Sequence, residues 1–378
     1  MKLSFRPLRE TFLSFQPPAV GEDEVAAAAD TIRSGWLTSG PRTAELERRF
    51  AEYAEARHVL AVSSGTAALH LSLLALGVGR GDEVITSPIT WPATANVIVH
   101  AGARPVFADV RDEDLNIDPD QVAALVGPRT KALLPVHFGG QPCDLDRLWA
   151  LDLPVVEDAA HAAESWYRDR KIGALSDATC FSLYATKSIA AGEGGLVSTN
   201  RGDVAAAIDD LRVMRRGHGS LYDLPVPGYK ANLSDVLAAI ALCQLEKVEH
   251  HRSIRARHVS AYDAAVAGLQ GIEPLAREPR DTHALHLYVV RIDPEQAGGT
   301  RDDYQRLLGE ARIGTSVHFL PVHRLAAYRG RFPEQAPLPV AEKAGAEVLS
   351  LPLSAAHSDD DLADAISALQ LVHGQLTS

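Results

Sequence analysis

The chain has 378 residues and a formal charge of −12. That is length for a large domain plus a smaller one, at roughly 150 residues per domain. No apolar run approaches the roughly 20 residues of a membrane helix, no charged-then-apolar leader opens the chain, and no Lys/Arg block forms a stripe that would track a nucleic-acid backbone. The expectation is a cytoplasmic protein that binds neither membrane nor nucleic acid. Cys143, Cys180 and Cys243 lack metal-ligand spacing and read as buried, reduced thiols.

Val25, Ala28, Ala29 and Ile32 recur at helical spacing and predict a first helix, which ends at Gly35. A second helix runs through Leu46 and Phe50, with Thr43 as its expected N-cap. Val59 to Val62 reads as a buried strand. It enters Ser63-Ser64-Gly65-Thr66 and an apolar helix, Ala67 to Leu76, closed by Gly77. The unit then repeats, with strands at Glu83 to Thr86, Pro105 to Asp109, Lys131 to His137 and Pro154 to Glu157. Continuous apolar strands separated by helices predict a mostly parallel sheet covered on both faces. Ligands of such sheets gather beyond the carboxyl ends of the strands, where Ser64, Thr90, Trp91, His137, Asp158 and Lys187 all fall.

From Ser234 a long amphipathic pattern through Leu237, Ala241, Leu245 and Val248 predicts a helix bridging two domains. Residues 1–250 are expected to form the large domain and 251–378 a smaller α+β domain, with a strand at Leu285 to Arg291 and a helix near Asp302 to Glu310. The acidic run Asp359 to Asp361 precedes Leu362, Ala365, Ile366 and Leu369, and so marks a helix start, where carboxylates suit the dipole. A metal site is not expected.

The chemistry concentrates between Phe181 and Gly195. There Lys187 stands between a strand-like run and a glycine-rich turn, flanked by Ala185, Thr186 and Ile189. A lysine that forms an imine must spend time unprotonated, which burial favours. Asp158 ends an apolar strand and can keep a pyridine nitrogen protonated, as pyridoxal 5'-phosphate (PLP) requires of its partner. The other reading of Asp158 is a helix cap, which Glu157 could also supply from the opposite face of the strand. His161, one turn beyond Asp158, either contacts the phenolate oxygen of the cofactor or packs. Ser64, Gly65 and Thr66 at a helix start, with Ser182, offer N–H groups and hydroxyls to a phosphate. Trp91 is placed to stack on a flat ring.

These residues resemble the DegT/DnrJ/EryC1/StrS family of fold-type I sugar aminotransferases. The resemblance runs from about Phe15 to the C-terminus. It includes Gly35 to Pro41, Ser64 to Leu69, Gly81 to Ile85, Gly102 to Asp109, Glu157 to His161, Ser182 to Gly195, Gly228 to Asp235 and Ser350 to Pro352. It implies that Lys187 is the Schiff-base lysine, Asp158 the pyridinium partner, Trp91 the stacking residue, and Gly65, Thr66 and Ser182 the phosphate site. It also implies a homodimer with shared active sites, in which the Gly228 to Asn232 loop reaches the neighbouring phosphate through Lys230 or Asn232. Substrate contacts are expected at Thr38 and Ser39, at the turn of Arg216 and His218, and at His318 and His323.

The implied reaction moves an amino group from an amino acid, glutamate, to a nucleotide-diphosphate keto sugar for amino-sugar biosynthesis. Gly228 to Asn232 and Glu157 to His161 are closest to the 4-keto-sugar subgroup, so C4 is the expected position. Alternatives are a C3-keto-sugar or cyclitol aminotransferase and, from a different class, a PLP-binding regulator without turnover. Members that remove a sugar hydroxyl carry histidine in place of the lysine. Lys187 argues against that chemistry.

Overall fold

A computed structural model describes residues 8–173, 175–213, 224, 226–332 and 335–378. In chain order, α1 (Glu22–Ser34) and α2 (Pro41–Tyr53) lead into β1 (His58–Val62), α3 (Gly65–Ala75), β2 (Glu83–Thr86), α4 (Ala93–His100) and β3 (Arg104–Phe107). Then come α5 (Pro119–Leu125), β4 (Thr130–Leu134), α6 (Leu145–Trp149), β5 (Val156–Asp158) and a small hairpin of β6 (Trp166–Tyr167) and β7 (Arg170–Lys171). β8 (Ala178–Ser182), β9 (Gly195–Thr199) and α7 (Gly202–Val213) precede the long α8 (Asp235–Val266).

The strand order is β3-β2-β4-β5-β8-β9-β1, the two halves being joined by parallel bridges Leu133 to Val155 and Val136 to Asp158. β9 runs antiparallel to both its neighbours, and the remaining pairings are parallel. The sheet is thus mostly parallel, with an apolar cluster on each face. One cluster contains Leu46, Phe50, Phe181 and Leu245, and the other Leu69, Leu71, Val97 and Val204. β1 is an edge strand whose open side is covered by side chains. Glu47 accepts from the Ala61 N–H at 2.8 Å, and Arg212 donates to the Ala61 carbonyl at 2.8 Å and pairs with Glu47. Side chains on the Ala61 groups blunt this part of the edge.

Both predicted N-terminal helices form, and the Thr43 cap alone needs correction. In α1, Val25 and Ile32 are 60% and 57% exposed, while Glu24 and Thr31 face inward against α8. Burial raises the Glu24 carboxyl, yet hydrogen bonds from Lys247, Gly21 and Gln244 hold it down at about 2. In α2, Thr43 lies inside the first turn, and the cap comes from Asp235, distant in sequence. That buried carboxylate accepts from the N–H groups of Gly40 (2.7 Å), Arg42 (3.0 Å) and Thr43 (2.9 Å), and from the Thr43 hydroxyl (2.7 Å). It satisfies several of the donors a helix start leaves open.

Beyond α8, β10 (Ile272–Pro274), β11 (Tyr288–Ile292), α9 (Arg301–Glu310), α10 (Pro339–Glu347), β12 (Val348–Leu351) and α11 (Asp359–Thr377) form a second layer around an antiparallel sheet ordered β10-β11-β12. The strand expected from Leu285 begins only at Tyr288, because Leu285 takes a positive φ of 56° that breaks the extended run. The acidic run does open α11. There Ser358 and Asp361 cap reciprocally, and Arg9 pairs with Asp361 and Asp364. The N-terminal segment docks here as well: Leu13 bridges to Ile313 and joins this layer's core. Cys143 and Cys180 are buried thiols, whereas Cys243 is only half-buried.

Candidate active site

The carboxyl ends of β1, β2, β5 and β8 open into a cavity of about 560 Å³ lined by Ser64, Gly65, Thr66, Trp91, Asp158, His161, Ser182, Lys187 and His318. A larger, more open cleft of about 860 Å³ lies beside the β1 edge between α2 and α7, and contains none of the predicted site residues.

Asp158 is the last residue of β5 and is almost fully buried. Its Oδ2 accepts from the Thr94 hydroxyl at 2.8 Å, and its Oδ1 accepts from the Ala160 N–H at 3.2 Å. Burial raises this carboxyl above its ordinary value, opposed by those hydrogen bonds and by Lys187 and His137. Glu157 points the other way, as strand alternation requires, and meets Thr179 at 3.0 Å and His137 at 2.8 Å. His137 was expected at the ligand end of the sheet. Instead it is wholly buried with Glu157, its Nδ1 accepting from the Cys143 N–H at 3.0 Å, and it does not line the cavity.

Lys187 follows β8 in a turn closed by its own N–H to the Tyr184 carbonyl at 2.8 Å. Burial lowers its amine to about 8, and the charge of Asp158 works in the opposite direction. Such an amine is substantially neutral at mildly alkaline pH, as a nucleophile or proton carrier must be.

α3 begins at the cavity wall. Ser64 caps it, its hydroxyl accepting from the Ala67 N–H at 3.0 Å, and the first intrahelical bond runs from the Ala68 N–H to the Ser64 carbonyl. The N–H groups of Gly65 and Thr66 lie ahead of that bond, so they are open to an anion. The backbone is tightly cradled here. A Cβ on Gly195 would lie 2.4 Å from the Ser64 carbonyl oxygen, and one on Gly65 would lie 3.0 Å from the Ser182 Cβ.

Trp91 is 66% exposed at the mouth, tilted against Phe319 at 6.4 Å. His161 stacks on His286 at 4.5 Å and lies near-parallel to Phe319 at 6.1 Å, and its Nδ1 is buried without a partner. Burial, with Lys187 nearby, pushes His161 and His286 well below the ordinary histidine range and His318 to about 4. All three rings are neutral at physiological pH. His318 hydrogen-bonds Ser350 at 2.8 Å and stacks on Phe15 at 5.4 Å.

The other predicted residues are elsewhere. Lys230 donates to Asn232, Asn232 to the Ser39 hydroxyl at 2.7 Å, and Ser39 to the Leu233 carbonyl at 2.5 Å, so that Ser39, Lys230 and Asn232 form a cluster outside this chain's cavity. Thr38 lies beside them, its carbonyl accepting from the Asp235 N–H at 3.3 Å. His323 faces Glu342 at 3.2 Å, outside the cavity. Arg216 and His218 lie outside the described residues. Sequence reading missed Thr94 and His286. The first sits in an unremarkable helix start, and the second was assigned to strand.

The donor set fits PLP: an anion-binding helix start, a carboxylate deep in the cavity, an amine of lowered basicity, and an orphaned ring nitrogen on His161. A model of the DegT/DnrJ/EryC1/StrS aminotransferase family matches residues 18–370. The chain belongs to that family. It is 43% identical to the spore coat polysaccharide biosynthesis protein SpsC of Bacillus subtilis, over 96% of this chain and 97% of that one. Among solved structures, the aminotransferase Spr1654 from Streptococcus pneumoniae in its PLP form superposes with a TM-score of 0.90 at 31% identity, covering 97% of this chain and all of that one. DesI, solved in the presence of its TDP-sugar product, gives 0.89 at 34%, covering 97% and 94%. This family member is a PLP-dependent sugar aminotransferase of fold-type I. No helix among its described residues is long and apolar enough to cross a membrane.

Proposed function

We propose that this aminotransferase takes an amino group from glutamate and delivers it to C4 of a nucleotide-diphosphate keto sugar in amino-sugar biosynthesis. The observation that carries the reading is the convergence of Lys187, Asp158 and the α3 N-terminus on one cavity. Bound PLP supplies an electron sink for the carbon that exchanges its proton. Lys187 Nζ would hold the cofactor and, when free, would carry a proton between the donor Cα and C4′. Asp158 holds the proton of the pyridine nitrogen. Gly65, Thr66 and Ser182 hold the phosphate, with Ser64 keeping the helix start in shape. Trp91 would cover a ring face, and His161, whose buried Nδ1 has no partner, would serve the phenolate oxygen.

Support for a nucleotide sugar comes from DesI and its TDP-sugar product, and for a glycan pathway from the name of SpsC. The C4 position rests on the resemblance of Gly228 to Asn232 and Glu157 to His161 to the 4-keto-sugar subgroup. Within the cavity, His318 is placed for the sugar. Lys230, Asn232, Thr38 and Ser39, lying outside their own chain's cavity, serve the site of a second subunit in a homodimer. Exposed Trp36, Leu37, Tyr184 and Tyr229 are apolar surface suited to that interface.

The test is a titration of the PLP-loaded enzyme. Glutamate is expected to remove the absorbance of bound PLP and release 2-oxoglutarate, and one member of a panel of nucleotide-linked 4-keto sugars, 3-keto sugars and cyclitol ketones to restore it. Restoration by a 3-keto sugar alone would move the reaction to C3. Silence towards every amino donor would defeat the proposal.

A further inference from the structure

Thr90, Thr94 and Asp158 form a buried line of hydrogen bonds. Thr90 and Thr94 have their hydroxyl oxygens 2.7 Å apart, and Thr94 stands 2.8 Å from Asp158 Oδ2. Thr90 is 2% exposed and Thr94 wholly buried. A threonine hydroxyl has one proton. Thr94 gives it to the carboxylate, so Thr90 must donate to Thr94, and the chain has one direction: Thr90 to Thr94 to Asp158.

The same stretch also builds the cavity mouth. The Thr94 N–H donates to the Trp91 carbonyl at 3.1 Å, and Trp91 directly follows Thr90. The β2–α4 loop and the first turn of α4 therefore place the exposed aromatic wall and the clamp on the carboxylate.

We infer that Thr94, oriented by Thr90, is a positioning residue of the reaction, holding the Asp158 carboxylate ionised and turned into the cavity. This rests on the reading of Asp158 as the partner of the pyridine nitrogen. Burial works against an ionised Asp158, and the Thr94 bond is the leading influence that offsets it. Its charge is opposed by Lys187, from the β8–β9 connection, and by His137, which lies beyond β4 on the Glu157 side of the strand, and is felt by the Cys180 thiol of β8. Chained hydroxyls polarise one another, so the outer threonine strengthens the inner bond. Without the donor, the carboxylate becomes more basic and draws the proton from the ring nitrogen onto itself, weakening the electron sink.

The experiment compares Thr94→Val, Thr94→Ser and Thr90→Val with the parent enzyme, all loaded with PLP labelled with nitrogen-15 in the ring. Three quantities are read: the ring-nitrogen NMR shift, PLP affinity by equilibrium dialysis, and the split of kcat and KM for glutamate. Thr94→Val is expected to move the resonance towards that of a neutral pyridine, to weaken PLP binding about tenfold, corresponding to roughly 1.4 kcal/mol, and to lower kcat with little change in KM. Thr94→Ser restores all three, and Thr90→Val gives a smaller change of the same sign. A parent-like resonance and affinity in Thr94→Val would overturn the inference. If Thr94→Val does not fold, Thr90→Val decides: a shifted resonance supports the relay and an unshifted one overturns it. Asp158→Asn separates the two readings. If it too leaves the resonance unchanged, the role of Asp158 has failed. If it shifts the resonance while the threonine variants do not, only the relay has failed.

Discussion

Lys187 is the residue on which the proposed chemistry turns, and its environment sets the pH at which it would work. Its amine, lowered to about 8 by burial, is charged below that value and neutral above it. Capture of PLP by the cofactor-free protein needs the neutral amine, so its rate is expected to climb as pH rises towards 8 and to level off above. Stopped-flow absorbance would show this, and a rate still climbing at pH 10 would mean an ordinary solvated lysine. Lys187→Ala is expected to abolish the absorbance of lysine-bound PLP while leaving the far-ultraviolet circular dichroism unchanged. That Lys187 and Asp158 share one cavity was legible in the sequence, because a lysine beside a glycine-rich turn and a carboxylate at a strand end both fall at the carboxyl ends of the sheet. Thr94 and His286 were not, because what matters in each is a contact with another segment. A threonine in a helix start and a histidine before a strand carry no local sign of it.

At the scale of elements, the start of α2 shows how far a local rule reaches. Thr43 fitted the N-cap preference, yet Asp235 at the start of α8 supplies the acceptor. Asp235→Ala leaves those N–H groups buried or half-buried without partners and is expected to lower stability by roughly 2–4 kcal/mol, read by urea unfolding. Thr43→Ala, which removes only the hydroxyl bond, costs less. Equal losses in the two variants would argue against Asp235 as the main cap. Helices were legible because their period of 3.6 is written locally, and the parallel strands because strands buried on both faces read as short continuous apolar runs. The facing of α1 was not. Val25 and Ile32 point outwards, Ala28 and Ala29 are half-buried and Glu24 faces inwards, since periodicity finds a stripe without saying which surface will cover it. The late start of β11 was hidden for a simpler reason: Leu285 has strand propensity but adopts a positive φ.

Across the whole molecule, the two layers are joined by α8 and by a buried ion pair. Arg255 on α8 donates to Glu164 just beyond β5, and also to the carbonyls of Leu285 (3.0 Å) and Ala284 (3.2 Å). Removing one partner strands a buried charge. Glu164→Ala is therefore expected to lose roughly 3–5 kcal/mol, whereas the double change Glu164→Leu with Arg255→Met loses much less, both measured by chemical denaturation. A double variant as unstable as the single one would assign the loss to packing. The parallel character of most of the sheet was foreshadowed by the alternation of strands and helices, but the strand order and the antiparallel β9 were not, because both depend on the route of the connections. The cap that Asp235 places on α2 also bears on how the chain is made. Synthesis runs from the N-terminus, and α2 leaves the ribosome nearly two hundred residues before its capping carboxylate does. β1 waits likewise for β9, and Leu13 for Ile313. A nascent chain halted before α8 lacks both the cap of α2 and the surface on which α1 packs, so this part of the fold closes only once α8 has been made.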